Sequence, residues 1–217
     1  MQVEIWSDVI CPWCYIGKRR FEQALAGFAH KQSVQVAWRS FELDPNAPPQ
    51  RPGTLQELLA KKYRVSLQEA AGMNARVTAL AKEVGLEYHL DQARPGNTLD
   101  AHRLLHFASS QQLGDRASER LMLAYFSEAL PVGERPALAR LAPEFDIPES
   151  DALAMLASDA YVQDVRADEA RAASLGITAV PCFVFDEKSS ISGAQSVEMF
   201  SDTLQQAWEK SQLNVEG

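Results

Sequence analysis

Two cysteines separated by two residues constrain this chain more than any other feature. The motif Cys11-Pro12-Trp13-Cys14 follows an alternating apolar run, Val3–Ser7, and precedes an amphipathic pattern over Ile16–Phe28. The alternation predicts a strand and the amphipathic pattern predicts a helix. A strand, a C-x-x-C motif and a helix in that order are typical of a reversible dithiol.

The expected position of each cysteine gives it a different role. We predict Cys11 at the helix N-cap, Pro12 at the first helical position and Cys14 in the first turn. Proline suits that position because its missing N–H would have no partner there. Free N–H groups and the positive end of the helix dipole favour a negative sulfur on Cys11. Cys11 is therefore the expected nucleophile, and the better shielded Cys14 the expected resolving thiol.

A zinc site is an alternative interpretation of the same motif. His102 and His106 lie one helical turn apart and would supply the other two ligands. The separation between the two halves is several times the roughly 12–15 residues of a compact zinc finger. Pro12 and Trp13 would also make a stiff, bulky zinc knuckle. We predict no metal, and the strand-to-helix setting also disfavours a purely structural disulfide.

Composition and charge limit the class of protein. With 217 residues, 46% of them hydrophobic, the chain can bury a substantial core without a disulfide scaffold. The net charge of −8 argues against nucleic acid or an anionic membrane as a partner. Three cysteines exclude a fully paired secreted framework, and the start of the chain shows no signal-peptide pattern. The sequence therefore predicts a cytoplasmic protein, because a reducing compartment suits a catalytic C-x-x-C.

The strand and helix pattern predicts three segments. Val34–Phe41 alternates and reads as a second strand, so the first forty residues form a βαβ unit with a parallel pair. The proline-rich stretch Asp44–Gly53 is a candidate domain boundary. Residues 54–158 show only helical patterns. The predicted helices are Ser66–Val84 with a capping box, Asn97–Gln112, one from Asp115 to Pro131, and shorter ones beginning at Pro136 and Glu149.

The last segment predicts a second βα half. The expected elements are a helix Asp159–Leu175, a strand Ile177–Phe185, a short strand Ser190–Gly193 and a helix Ser196–Lys210. Pro181 interrupts the first of these strands, which requires an edge position, a bulge or a cis bond. Cys182 follows Pro181, and alternation turns it to the opposite face. We expect Cys182 to be a buried, unreactive thiol, the alternative being a third redox cysteine.

Taken together, these segments resemble the thioredoxin fold with the helical insertion of the DsbA family. The resemblance is strongest to the FrnE-like branch, which is related to 2-hydroxychromene-2-carboxylate isomerases and kappa-class glutathione transferases. It rests on the segments Ser7–Gly17, Arg39–Leu43, Asn97–Arg103, Gly176–Pro181 and Ser192–Gln195. It implies an α/β thioredoxin-fold domain of residues 1–53 and 159–217, and an all-helical insertion domain of residues 54–158. It also implies a cis Val180–Pro181 bond packed against the dithiol.

The resemblance also implies a ligand-binding surface. The helix beginning near Asn97 would face the dithiol across a cleft, and a glutathione-like ligand would bind at the last helix's N-terminus. The implied binding residues are Asn97, Thr98, His102, Ser192 and Gln195. Alternatively, Asn97 and Thr98 are simply helix caps and His102 is an ordinary helical histidine.

The chain departs from thioredoxins at one position. Thioredoxins place a buried carboxylate six residues before the first cysteine, where this chain has Ile5; Asp8 and Glu42 are the nearby acids.

The resemblance implies a thiol–disulfide oxidoreductase that exchanges disulfides with protein or small-molecule thiols, whether as oxidant, reductant or disulfide isomerase. Cys11 would attack and Cys14 would resolve the mixed disulfide. The sequence predicts that Pro12, Trp13, Val180 and Pro181 shape the active site. We expect no resident cofactor, with glutathione as a candidate co-substrate.

Two further functions remain open from the sequence. One is a glutathione-dependent isomerase or transferase acting on a small aromatic substrate. Relatives of that kind usually carry serine at the position of Cys11, so the intact cysteine pair argues against it. The other is a binding protein that retains a vestigial motif.

Overall fold

A four-stranded mixed sheet is the centre of the structure, a computed structural model that describes residues 1–213. The strand order is β2-β1-β3-β4. β1 pairs in parallel with β2 and antiparallel with β3, and β4 is antiparallel to β3. The strands are β1 (Gln2–Ser7), β2 (Gln35–Ser40), β3 (Cys182–Phe185) and β4 (Ser189–Ser192).

Nine helices surround or extend this sheet within the described residues. Between residues 54 and 158 the described chain contains helices and turns and no strand, which confirms the predicted helical insertion. The helices are α1 (Pro12–Gly27), α2 (Leu55–Tyr63), α3 (Leu67–Glu83), α4 (Leu99–Ser110), α5 (Gly114–Glu128), α6 (Arg135–Leu141), α7 (Glu149–Ala157), α8 (Val162–Ser174) and α9 (Val197–Leu213). Two short 3-10 turns cover Lys31–Ser33 and Ala142–Phe145.

The first βαβ unit has the predicted parallel pairing. Val3 lies opposite Val36 and Ser7 opposite Ser40, with α1 as the crossover. β1 is buried along nearly its whole length because it is an inner strand with helices on both faces. The strand therefore holds the start of α1, and with it the dithiol, against the centre of the sheet.

Local capping signals define two helices of the insertion. The capping box of Ser66 and Glu69 opens α3 as predicted, because each side chain bonds the other's backbone N–H. Thr54 and Glu57 form the same box at the start of α2. The sequence analysis overlooked this second box, although its T-x-x-E spacing was available as a signal.

Two predicted boundaries differ from the structure. The sequence predicts Asn97 as the N-cap of α4, whereas the N-cap is Thr98 and the helix begins at Leu99; the Asn97 side-chain oxygen accepts the backbone N–H of Leu99 at 2.9 Å from the position before the cap. β3 begins at Cys182 and not at Ile177. The strand starts only after Pro181 because proline has no N–H to give to the ladder.

The proline-rich stretch Asp44–Gly53 is packed against the insertion. The Asn97 N–H donates to the Pro48 carbonyl at 2.9 Å, and the Arg51 N–H to the Pro95 carbonyl at 3.1 Å. A Cβ atom at Gly133 would lie 1.9 Å from the Pro49 carbonyl oxygen, so only glycine allows this approach. The stretch is therefore a docked segment of the fold.

The hydrophobic core is continuous between the sheet region and the insertion. One cluster joins both dithiol cysteines and Tyr15 of α1 to Leu121 and Phe126 of α5. A second cluster lies between one face of the sheet and helices α1 and α9. The division into domains at residues 53/54 and 158/159 stays a prediction, and residues 214–217 of the second part lie outside the described residues.

Candidate active site

The Cys11–Cys14 motif has the local geometry that the sequence predicts. Cys11 occupies the N-cap of α1 with an extended backbone, and Pro12 is the first helical residue. The Cys14 N–H donates to the Cys11 carbonyl at 3.0 Å, which folds the motif into the first helical turn. Both cysteines are free thiols in this structure. The motif therefore places two thiols side by side at the helix N-terminus.

The two thiols are buried to nearly the same extent, whereas the sequence predicted that Cys14 is better shielded than Cys11. Cys11 is 3% exposed and Cys14 is 1% exposed, whereas Trp13 between them is 42% exposed. Burial, followed by the neighbouring Cys11, raises the pKa of the Cys14 thiol well above its ordinary value, and Ser7 and the Asp8 backbone only partly oppose this. Cys14 is consequently held as the neutral thiol, and its attack on another sulfur requires a group that takes its proton.

A loop from the other half of the chain closes over Cys11. The Val180–Pro181 bond is cis, as the resemblance implied. The Cys11 thiol points at the Val180 carbonyl oxygen, with 3.7 Å between sulfur and oxygen. The Gly193 N–H donates to the Pro181 carbonyl at 2.8 Å and ties this loop to the turn before α9. Val180 and Pro181 thus lie in the loop beside the Cys11 sulfur.

Gly17 allows α1 to pack closely against this loop. A Cβ atom at Gly17 would lie 3.0 Å from Pro181 Cγ and 3.6 Å from Ala194 Cα. One turn further along, the Arg20 guanidinium donates to the Ala194 carbonyl at 2.7 Å. α1 and the Pro181 loop are therefore held together by the close packing at Gly17 and by the hydrogen bond of Arg20.

The insertion contributes an aromatic group beneath the motif. The Tyr88 hydroxyl donates to the Pro12 carbonyl at 2.8 Å. Its ring stacks on Phe126 with 4.5 Å between centroids, and Tyr15 of α1 stacks on Phe126 at 6.1 Å. The sequence analysis did not find Tyr88, because no short-range pattern connects it to Pro12. The stack fixes the first turn of α1 on the insertion.

Two acids that the sequence analysis noted are buried near the dithiol. The Asp8 carboxylate accepts the backbone N–H of Leu43 at 2.8 Å and lies 3.5 Å from the Nε2 atom of His102. The Glu42 carboxylate accepts the Asn97 side-chain amide at 3.2 Å and pairs with Arg166. Burial raises the pKa of Glu42 despite Arg166, which opposes the shift. Ile5, at the position of the thioredoxin carboxylate, packs in the apolar cluster between the sheet and helices α1 and α9.

The residues predicted to bind a glutathione-like ligand fall into two groups. Ser192 and Gln195 are exposed beside the Pro181 loop, and the Gln195 amide donates to the Ser192 carbonyl at 2.9 Å. Thr98 and His102 are buried, His102 being only 1% exposed, and Asn97 is half-buried against Glu42. The structure thus brings Ser192 and Gln195 to an open surface, but places His102 in the interior, where it faces Asp8.

His106 belongs to a different environment from the cysteines. Its Nε2 atom lies 3.1 Å from the Ser40 hydroxyl and 3.1 Å from the Asp168 carboxylate. Within residues 1–213, no three His, Cys, Asp or Glu side chains form a group that could hold a metal ion. His102 and His106 therefore point to separate polar partners in this structure.

Cys182 is buried at the start of β3, as predicted. It packs with Trp6 and Ala172, and burial raises the pKa of its thiol.

Among residues 1–213, no helix combines the length and apolarity that crossing a bilayer requires.

Comparison with known proteins places this site in a family. Residues 2–205 match the family model of the DSBA-like thioredoxin domain. The crystal structure of a probable DsbA oxidoreductase from Streptomyces coelicolor is 40% identical with a TM-score of 0.93, covering 96% of this chain and 90% of that one. Uncharacterized protein YwbO from Bacillus subtilis is 28% identical over 207 residues, which is 94% of this chain and 96% of YwbO.

A more distant structure shares the fold alone. The cytosolic disulfide reductase DsbM from Pseudomonas aeruginosa, solved with GSH, is 15% identical with a TM-score of 0.66, covering 96% of this chain and all of DsbM. The thioredoxin fold with a helical insertion, predicted from the sequence, is thereby confirmed.

Proposed function

The chain belongs to the family of DSBA-like thioredoxin domains, and we propose that it is a thiol–disulfide oxidoreductase acting through Cys11 and Cys14. One observation supports this function above the others. The Cys11 sulfur lies at the N-terminus of α1, beside Cys14 and 3.7 Å from the Val180 carbonyl. The helix terminus favours a negative sulfur, and the adjacent loop offers backbone groups to an approaching substrate.

The reaction proceeds by two exchanges at sulfur. The Cys11 thiolate attacks one sulfur of a substrate disulfide, and the other substrate sulfur leaves as a thiolate. Cys14 then attacks the Cys11 sulfur of the mixed disulfide, and the remaining substrate sulfur leaves. The products are a Cys11–Cys14 disulfide and a substrate that has gained two electrons. Run backwards, the same steps oxidise a substrate dithiol.

The surface around the motif suits disulfides of proteins and of low-molecular-weight thiols. Trp13 is exposed next to the thiols and gives a substrate a broad apolar contact. Ser192 and Gln195 are exposed on the other side of Pro181, and we propose them as contacts for glutathione acting as co-substrate. DsbM, which shares the fold, was solved with GSH. We place the reaction in the cytoplasm, where a FrnE-like dithiol would exchange with the thiol pool.

Equilibration against glutathione tests this function directly. The purified chain is incubated at a series of reduced-to-oxidised glutathione ratios, quenched in acid, alkylated and weighed by mass spectrometry. We expect two of the three thiols to disappear together at one midpoint, with Cys182 still reduced. A Cys182→Ala variant is the matched control and should show the same midpoint.

Two outcomes would contradict the proposal. Three free thiols at every ratio would leave a binding protein with an inactive motif. A stable glutathione adduct on Cys11 that never yields the Cys11–Cys14 disulfide would favour the glutathione-dependent isomerase or transferase.

A further inference from the structure

A small cavity lies between the ends of β1 and β2 and helices α4 and α5. It leaves about 10 Å³ for the centre of a water molecule, which is room for roughly one. The polar side chains that matter here are those of Ser7, His102 and Ser118, and Val9 and Met122 close the walls. The lining also includes Trp38 and Arg39 of β2, which are half-buried, and Ser109 of α4, which is exposed.

Several buried polar atoms around this cavity have no hydrogen-bond partner among residues 1–213. They are the hydroxyls of Ser7 and Ser118 and both ring nitrogens of His102. Leaving such a group unsatisfied costs about 1–3 kcal/mol, so a cluster of them indicates a site for a bridging water. A water in this cavity would connect His102 to Ser7.

Ser7 brings this cluster to the dithiol. The Ser7 side chain lowers the pKa of the Cys14 thiol, against the larger effect of burial, while its hydroxyl keeps no hydrogen bond to any group of the described residues. Cys14 is 1% exposed, so its proton has no direct path to solvent. Ile5 occupies the position where a thioredoxin has its buried carboxylate, and its side chain packs among apolar residues of β3, α1 and α9. The resolving thiol therefore has a polar route from Ser7 toward His102, but no carboxylate behind it at that position.

We propose that His102 accepts the proton of Cys14 through Ser7 and a water in this cavity, while Asp8 holds the imidazole. This inference rests on the proposed function. As the Cys14 S–H bond breaks, its electron pair attacks the Cys11 sulfur, and the substrate sulfur leaves with the pair of the broken S–S bond. The proton moves to His102 beside the Asp8 carboxylate. It is later returned to the leaving thiolate or to solvent.

The charges around His102 favour this role for Asp8. Asp8 lies 3.5 Å away, and its carboxylate is oriented by the backbone N–H groups of Ile10 and Leu43. The other charged or titratable groups near the ring already have partners of their own. They are Glu42 with Arg166, Arg39 with Glu4 and Asp168, and His106 with Asp168. Asp8 is the carboxylate that the described residues place within 4 Å of the imidazole, and Glu42 is a second, more distant acid that interacts with His102.

The test uses the two bursts that 5,5′-dithiobis(2-nitrobenzoate) gives with a dithiol. The first thionitrobenzoate reports attack by Cys11, and the second reports attack by Cys14 on the mixed disulfide. Stopped-flow traces between about pH 5 and 9 are compared for the unmodified chain, His102→Gln and Ser7→Ala. His30→Gln is the control, since His30 is an exposed histidine that stacks on Trp208 beyond the C-terminal end of α1, the end opposite the motif.

We expect the first burst to be unchanged in all four proteins. The second burst should slow by about 10²-fold in His102→Gln near neutral pH, the usual contribution of a positioned proton acceptor. The fold loss should shrink only in part toward pH 9, because the pKa of Cys14 is raised well above its ordinary value and its thiolate fraction, although growing with pH, stays small. Ser7→Ala should show a smaller loss of the same form, and this second variant carries the test if His102→Gln does not fold.

The outcomes separate this inference from the proposed function. A second burst with the unmodified pH profile in both variants would overturn the proton transfer through His102. A loss equal at every pH and accompanied by a lower melting temperature would also overturn it, because it would indicate a structural role. A missing second burst in the unmodified chain would instead contradict the oxidoreductase function itself.

Discussion

The Cys11 sulfur lies 3.7 Å from the carbonyl oxygen of Val180, although 169 residues separate them in the sequence. The antiparallel pairing of β1 with β3, in which Trp6 lies opposite Cys182, brings the two together. The nucleophile and the loop beside it are therefore brought together by sheet pairing, and Tyr88 of the insertion adds a hydrogen bond to the Pro12 carbonyl.

Unequal behaviour of the two single-cysteine variants is the first prediction. Cys14→Ser keeps the nucleophile but removes the internal exit of its mixed disulfides, so covalent adducts with cellular proteins should accumulate. Cys11→Ser leaves only a buried thiol whose pKa is raised by burial and by its surroundings, so adducts should be scarce. The measurement is a non-reducing gel of both variants after acid quenching, with the double variant as control. Similar adduct patterns from the two variants would contradict the assigned roles.

Gly17 and Gly27 offer a matched pair on one helix. A Cβ atom at Gly17 would press on Pro181 Cγ at 3.0 Å, whereas one at Gly27 meets nothing within 4 Å in the described structure. Gly17→Ala should cost about 1–3 kcal/mol of unfolding free energy and slow disulfide exchange, because the Pro181 loop must move. Gly27→Ala should be neutral or stabilise by up to about 1 kcal/mol. Urea unfolding and insulin reduction measure both effects, and equal behaviour of the two variants would refute the packing argument.

Cys182 should take no part in the redox cycle. Its thiol is buried against Trp6, and burial raises its pKa, so the reactive thiolate is rarely formed or reached. In the oxidised protein we expect iodoacetamide to modify Cys182 only after unfolding in urea. Peptide mapping of native and unfolded samples measures this. Rapid labelling of Cys182 in the native oxidised protein would favour the alternative of a third redox cysteine.

The buried carboxylate of Glu4 should make stability depend on acid pH. Burial raises the pKa of Glu4, but hydrogen bonds and charges from Arg171 and Arg39 outweigh burial, so the net pKa is lowered. The stabilisation is therefore fully present above the ordinary value of about 4.5 and is lost as pH falls through the lowered value. At neutral pH, Glu4→Gln should cost about 1.5–3 kcal/mol, and the difference from the unmodified chain should shrink below about pH 4.5.

Glu144→Gln is the control for that experiment. Glu144 pairs with Arg120 on the surface, so its loss should cost less than about 1 kcal/mol. Urea unfolding at pH 7 and pH 4 compares the three proteins. A Glu4→Gln penalty that stays constant between these pH values would show that the lost carboxylate charge is not its cause.

The local parts of the fold could be predicted because they depend on neighbours in the sequence. Pro12 at the first position of α1 and the capping box at Ser66 each satisfy backbone groups within one turn. The differences in where α4 and β3 begin, predicted near Asn97 and at Ile177, also concern only a few residues each. Both came from extending a regular pattern by a few residues past the point where backbone hydrogen bonding stops.

The sequence by itself determined the dithiol, its place at a helix N-terminus, the βαβ unit and the helical insertion. These follow from spacing, periodicity and caps, which are properties of short stretches. Only the tertiary structure decided that Cys11 is buried, that Tyr88 bonds Pro12, and that His102 faces Asp8. A helical pattern shows which face is apolar but not which element covers it. Contacts between side chains far apart in sequence are therefore fixed only when the helices pack around the sheet.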